Sequence, residues 1–151
     1  MDELTKQFFK RLNDQPFSKK EIAPPPFMKG LDMQILSYDP GKGVKVSFPI
    51  RESYNNPMGV TFGGYFGIFF DAAFGPFSGL TVKGPTTSMD LNICFLKPLS
   101  PRDKEVIIEV EVVSHSKTYL ILHGKAYKGD NVLVATANSR MLIMDINKMK
   151  S

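Results

Sequence analysis

Asp71 is the residue whose surroundings most need a chemical explanation. It is the one charge in the run Tyr65, Phe66, Ile68, Phe69, Phe70, Ala72, Ala73, Phe74 and Phe77, which is apolar on every helical face. A helix hydrophobic all round is read as buried inside its domain. A carboxylate in such a helix must be paired, hydrogen-bonded or held in a site where it does chemistry. Gly63 and Gly64 open the run and fall at the predicted N-terminus of the helix, where unpaired N–H groups and the helix dipole favour an oxyanion. Close packing is the other use for these glycines, with Gly63 and Gly67 forming a small-residue face against a strand. Ser88 either holds a water or orients Asp71 through its hydroxyl, or is a strand residue near a turn. Asn56 either fixes a substrate carbonyl or a catalytic water or, standing before Pro57, starts a turn. A carboxylate can act as a general base or a nucleophile, and N–H donors aimed at one oxygen stabilise negative charge that develops there.

The elements that must position these groups follow from periodicity. Leu4, Phe8 and Leu12, with Phe9 beside them, predict a short amphipathic helix over residues 2–13 that docks on the main body. The segment ending in Pro24, Pro25 and Pro26 is expected to be an extended linker, because proline lacks an N–H and restricts the residue before it. Residues 1–29 are therefore assigned to a helical arm and linker, and residues 30–147 to the main domain. Val44, Val46, Phe48 and Ile50 alternate with Lys45, Ser47 and Pro49, one of two short strands expected between Met33 and Ile50. After the central helix and a glycine-bearing exit (Gly79, Gly84, Pro85), strands run to the end. One strand alternates Met89, Leu91, Ile93 and Phe95 against Asp90, Asn92 and Cys94, and another alternates Val106, Ile108, Val110 and Val112 against Ile107, Glu109 and Glu111. Residues 118–127 and 132–144 make two more, joined by the tight-turn group Lys128, Gly129, Asp130 and Asn131. The expected architecture is α+β, an antiparallel sheet wrapped around one central buried helix. Apolar positions on the outer sheet face, Ile107, Tyr119 and Ile121, point to a homodimer that covers them, unless they are ordinary exposed apolar residues.

Composition narrows the function classes. A chain of 151 residues, 42% hydrophobic, suits one domain with a real core. Its single cysteine, Cys94, cannot form an intramolecular disulfide, and no secretory signal or membrane-length apolar run is evident. A soluble cytoplasmic protein without membrane partners is expected. The net charge of +4 is compatible with an anionic ligand, but the lysines are scattered, which argues against nucleic acid. His115 and His123 have no partners at ligand spacing, so no metal is expected. Gly41, Lys42 and Gly43 lack the spacing of a phosphate loop, and Gly63 to Gly67 lacks that of a dinucleotide fingerprint.

Taken in order, Asn56, Gly63, Gly64 and Asp71, followed by Ser88, Asp90 and Asn92 in TSMDLN, resemble the hot-dog fold acyl-CoA thioesterases of the phenylacetate-pathway type over residues 30–145. In that group the motif is Asn, five residues, His-Gly-Gly, then an Asp nine positions after the His, and this chain departs from it at the His, which is Phe62. The resemblance implies that Asp71 acts as general base or nucleophile on a thioester and that Gly63 donates its N–H to the thioester oxygen. It implies a site shared across a homodimer or dimer of dimers, the Asn56 and glycine loop of one subunit facing Asp71 and Ser88 of the other. No cofactor is implied beyond CoA as part of the substrate, whose phosphates scattered lysines such as Lys83 and Lys97 could meet. Phe62, Gly64 and Phe66 are the expected substrate-binding positions, the aromatics, with Phe69, lining an acyl or aryl tunnel or else serving as core. The alternative is a non-catalytic acyl or acyl-CoA binding protein of the same fold, in which Phe62 has closed the polar site.

Overall fold

A computed structural model describes residues 1–17 and 26–149. Seven strands form one antiparallel sheet: β1 (Gln34–Asp39), β2 (Gly43–Pro49), β3 (Thr86–Ser88), β4 (Asn92–Phe95), β5 (Glu105–His115), β6 (Tyr119–Lys128) and β7 (Val132–Ile143). Their order is β1-β2-β5-β6-β7, with both β3 and β4 on the free side of β7. The sheet packs on the long helix α3 (Gly63–Val82). Helices α1 (Glu3–Asn13), α2 (Pro26–Leu31) and α4 (Ile146–Met149) are the other α-helices among the described residues. This is the expected α+β architecture, a curled sheet around one helix. No helix among the described residues is long and apolar enough to cross a membrane.

Alternation sets the sheet's two faces. Val106, Ile108 and Val110 of β5 and Leu120 and Leu122 of β6 point inward onto Phe69, Phe70, Phe74 and Phe77 of α3, all buried. At Gly124 the helix comes closest: an added Cβ would lie 2.9 Å from both the Phe70 and Phe74 rings. On the outer face polar groups pair with one another. Lys45 meets Glu109 at 2.7 Å, His123 Nδ1 meets Asn138 Oδ1 at 2.8 Å, and the Arg140 guanidinium lies over the Tyr119 ring. Ile107, Tyr119 and Ile121 are half-buried among them. Leu36 of β1 and Val113 of β5 are exposed, and a larger group of exposed apolar side chains, Phe62, Ile68, Met89, Phe95 and Leu96, lies beside the N-terminal half of α3 and along and next to β4.

Four expectations need correction. In α1 the buried face is Thr5, Phe8 and Phe9, with Leu12 half-buried, while Leu4 is exposed. The cause is the Thr5 hydroxyl, which accepts the Ile35 N–H of edge strand β1 at 2.8 Å and so turns the helix by one position. Pro26 does not continue an extended linker but opens α2, at a helix start where a missing N–H costs nothing; Pro24 and Pro25 lie outside the described residues. Gly79 is not part of an exit loop. It is buried within α3, which continues to Val82 and ends at Lys83 in the left-handed conformation. The strand expected over Met89 to Phe95 is shortened to β4, which begins at Asn92, while a separate β3 ends at Ser88; Met89 lies between them and is half exposed rather than inward-facing.

Candidate active site

The site is built around α3, which is not buried all round. From Ala72 to Leu80 nearly every residue is covered, but Gly64, Ile68 and Asp71 are exposed, with Gly67 half-buried between them. These positions recur at the spacing of one helical stripe. Asp71 therefore stands at the surface of the single chain, a correction to the buried carboxylate expected from its neighbours. The stripe forms one wall of an open groove of about 470 Å³ whose other wall is Ser88, Met89, Asp90 and Leu91.

Within this groove the Ser88 hydroxyl donates to Asp71 Oδ1 at 3.1 Å. β3 presents Ser88 toward the helix, and Thr86, two residues earlier, meets Ser78 of α3 through a hydroxyl–hydroxyl hydrogen bond of 2.6 Å. One Asp71 oxygen is thus held in place and the carboxylate remains open to the groove. Such a pair can orient a water or present an oxygen as nucleophile.

The N-terminus of α3 is the second polar element. The Phe62 N–H is bound to Tyr54 O at 2.8 Å, and the Tyr65 N–H to Phe62 O at 3.0 Å. Phe62, at the N-cap position, has no side-chain acceptor, and the helix has no side-chain cap there. The N–H groups of Gly63 and Gly64 are those that an α-helix leaves without an intrahelical partner. Aromatic rings lie beside the two glycines. A Cβ added at Gly64 would lie 3.0 Å from the Phe62 ring, and one at Gly63 would lie 3.4 Å from the Phe95 ring. Phe95 also packs edge-on against Phe66 at 5.4 Å, so that Phe66 is buried while Phe62 and Phe95 are more than half exposed.

Asn56 is turned into its own loop. Its Oδ1 accepts the Met58 N–H at 2.9 Å and the Val60 N–H at 3.4 Å, and its N–H donates to Val60 O at 2.8 Å. These bonds belong to a turn that leads into Gly63. The structure thus brings Asp71, Ser88 and Gly64 into one groove and leaves Asn56 and Gly63 apart from them. Gly63 and Asp71 are eight residues apart on the helix, about 12 Å at 1.5 Å rise per residue, too far for one carbonyl group to meet both in a single chain.

Two residues of this region carry no role in the sequence reading, although Asp90 stands in the TSMDLN motif. Phe95 stood in an apolar alternation and carried no separate signal. Asp90 shares the groove, but its carboxylate is turned to β7, accepting the Arg140 N–H at 2.7 Å. A second cleft, of about 400 Å³, lies at the other side of the sheet among Asp32, Ser47, Asp103, Glu105 and Tyr127; it holds no carboxylate paired with a hydroxyl beside a helix N-terminus. Among the described residues no three His, Cys, Asp or Glu side chains gather as metal ligands.

Comparisons with known proteins bear on the fold. AziG from S. sahachiroi superposes with a TM-score of 0.75 at 15% identity, over 80% of this chain and 98% of its own. The PaaI protein from the phenylacetic acid degradation operon of E. coli gives 0.75 at 16% identity, over 91% and 96%. A mutant of the phenylacetic acid degradation protein PaaI from Thermus thermophilus gives 0.70 at 21% identity, over 79% and 99%. At these identities the likeness establishes the fold, the hot-dog fold. No curated protein sequence matches this one at a significant level. The thioesterase superfamily profile matches residues 58–135, a span that begins before the glycine pair, takes in Asp71 and Ser88, and covers more than half of the chain; the chain belongs to the thioesterase superfamily.

Proposed function

We propose that this protein hydrolyses an acyl-CoA thioester to the free acid and CoA. The observation that carries the reading is the hydrogen bond from Ser88 to Asp71 in a groove open to a substrate. Asp71 acts as general base on a water or attacks the carbonyl carbon itself. In the first route the water oxygen bonds to the thioester carbon, Asp71 takes its proton, and the carbonyl oxygen becomes an oxyanion. Collapse of that intermediate breaks the carbon–sulfur bond, and CoA leaves as the thiol once protonated. The oxyanion needs donors, and the N–H of Gly63 at the uncapped end of α3 is the one assigned. Because Gly63 and Asp71 of one chain lie too far apart, the site is completed by a second copy, whose glycine loop faces Asp71 and Ser88 across a homodimer or within a dimer of dimers. The apolar residues on β4 and beside the stripe favour such covering. No cofactor is needed beyond the CoA of the substrate, and the cytoplasm is the compartment proposed.

One observation favours a second reading, an acyl or acyl-CoA binding protein that does not hydrolyse. Phe62 and Phe95 lie beside the two glycines whose N–H groups would be the donors. The test is thiol release from a panel of short, long and aryl acyl-CoAs by wild-type protein and by Asp71→Ala, at equal oligomer content. Hydrolysis that disappears with Asp71 supports the enzyme. Tight acyl-CoA binding without thiol release would overturn it in favour of the binding protein.

A further inference from the structure

The break between β3 and β4 is a bulge with a consequence for the site. Ser88 pairs with Met141 and Asn92 with Asn138, so Met89, Asp90 and Leu91 stand opposite only Ser139 and Arg140. One strand carries one residue more than its partner, the pattern that re-aims side chains. Parity makes the effect specific. Ser88 and Phe95 are seven residues apart, and in an unbroken strand an odd separation puts two side chains on opposite faces. Here both face α3: Ser88 reaches Asp71, while Phe95 lies beside Gly63 and Ile93 beside Gly67. The extra residue is what allows the hydroxyl and the aromatic ring to share one face.

We infer that Asp90 is the positioning residue that holds this bulge and thereby aims Ser88 at Asp71. In a regular ladder the Arg140 N–H would pair with a backbone carbonyl of the edge strand. The Asp90 carboxylate takes that N–H instead, at 2.7 Å. The backbone of the same residue is fixed from below, where the buried Ser139 hydroxyl donates to Asp90 O at 2.8 Å, and Met89 N–H returns to Arg140 O at 2.8 Å. The guanidinium of Arg140 lies 3.5 Å from Asp90 Oδ2 and is half exposed, so it contributes less than the backbone N–H does. What the bulge requires of residue 90 is an acceptor at the right place. Asp90 touches no reacting atom in this assignment; it acts through Ser88.

The inference rests on the hydrolytic reading for its effect on turnover, and the test has an arm that does not. Asp90→Asn keeps an acceptor for Arg140 and Asp90→Ala removes it. Turnover of an acyl-CoA is expected to fall about tenfold to a hundredfold in Asp90→Ala with KM little changed, since misplacement of a positioned group acts on the chemical step. Asp90→Asn should stay within about threefold of wild type, as should Arg140→Gln. Combining Asp90→Ala with Ser88→Ala should cost no more than the worse of the two alone, because one acts through the other. By NMR, the Arg140 amide should exchange with solvent about tenfold or more faster in Asp90→Ala and unchanged in Asp90→Asn. Equal losses in the Asn and Ala variants would overturn the inference, as would multiplying losses in the double variant or an unchanged Arg140 exchange rate in Asp90→Ala. If Asp90→Ala does not fold, Asp90→Glu replaces it, keeping the charge and shifting the acceptor by a methylene. Loss in Glu with retention in Asn supports the acceptor role, and the reverse order overturns it. Should wild-type protein release no thiol, the hydrolytic reading alone falls, and Arg140 exchange together with contacts between Phe95 and Gly63 decides whether Asp90 holds the bulge.

Discussion

The two halves of α3 have similar letters and different surroundings. From Ala72 to Leu80 the helix is enclosed: the sheet covers one side, and α1 closes another. A Cβ added at Gly79 would lie 3.3 Å from the Phe17 ring and 3.5 Å from Leu12. From Gly63 to Asp71 the sheet covers Phe66, Phe69 and Phe70, but the stripe of Gly64, Gly67, Ile68 and Asp71 faces an open groove walled by Ser88 to Leu91, with Ile93 beside Gly67. Hydrophobic character therefore serves two purposes in one helix. In the C-terminal half it builds the core, and in the N-terminal half it leaves apolar side chains beside an open groove. The carboxylate sits in that groove, where desolvation by a substrate or a second copy can be added after folding rather than opposing it.

This division predicts that stability and activity respond to substitution at different ends of α3. The largest stability loss is expected from Phe74→Ala, in the enclosed half, at about 3–5 kcal/mol for removal of a fully buried aromatic. Denaturant unfolding measures it, and a loss under about 1 kcal/mol would mean that the core does not close on this ring. Asp71→Ala is expected to do the reverse. Its unfolding midpoint should stay close to wild type, since the side chain is exposed, while thiol release falls about a hundredfold or more, equivalent to about 2.7 kcal/mol in the barrier. An Asp71→Ala protein that unfolds much more easily yet turns over normally would erase the distinction between the two halves. Gly124→Ala tests the sheet side of the enclosed half. Its new methyl group meets the Phe70 and Phe74 rings at 2.9 Å, and overpacking of this kind costs about 1–3 kcal/mol. The effect should show in unfolding and not in KM for the acyl-CoA.

Much of this arrangement was legible in the letters. Period-two alternation placed Val106, Ile108 and Val110 on the inner face, because a sheet with one covered side leaves that mark. The separate positions of Asp71 and Ser88 were legible through spacing, and the fold makes them meet. Other features left no mark. A bulge inserts one residue without disturbing an apolar-polar alternation on paper, so Met89 to Phe95 read as one strand although Asp90 interrupts its ladder. Leu4 was the better apolar match for the face of α1, but Thr5 took the inward position because an edge N–H of β1 needed an acceptor. Exposure of Asp71 was hidden for a related reason, since composition marks residues that will be covered without saying whether this chain supplies the cover.

The smallest effect expected concerns the cover that α1 gives the enclosed half. Asp2 caps α1, its carboxylate accepting the Thr5 N–H at 2.9 Å and the Thr5 hydroxyl at 2.6 Å, and the same hydroxyl accepts the Ile35 N–H. The Thr5 hydroxyl, followed by the Thr5 N–H, holds the Asp2 carboxyl below its usual value of 3.8. A depressed folded value means that the carboxylate form is favoured by folding. The contribution is complete above the ordinary aspartate value and is lost as pH falls through the depressed one. Asp2 is exposed, so the change is small and local. Acidification from about pH 5 to about pH 3 should lower the amide protection factors, corrected for intrinsic exchange, in α1 and near Gly79, the enclosed half that α1 covers, and leave those of Phe66 to Phe70 unaffected by this group. Asp2→Asn, which keeps a cap acceptor, should flatten that acid dependence while matching wild type near neutral pH. An equal loss of protection along all of α3 would mean that the helix opens as one unit, and that the enclosed and open halves differ in surroundings but not in stability.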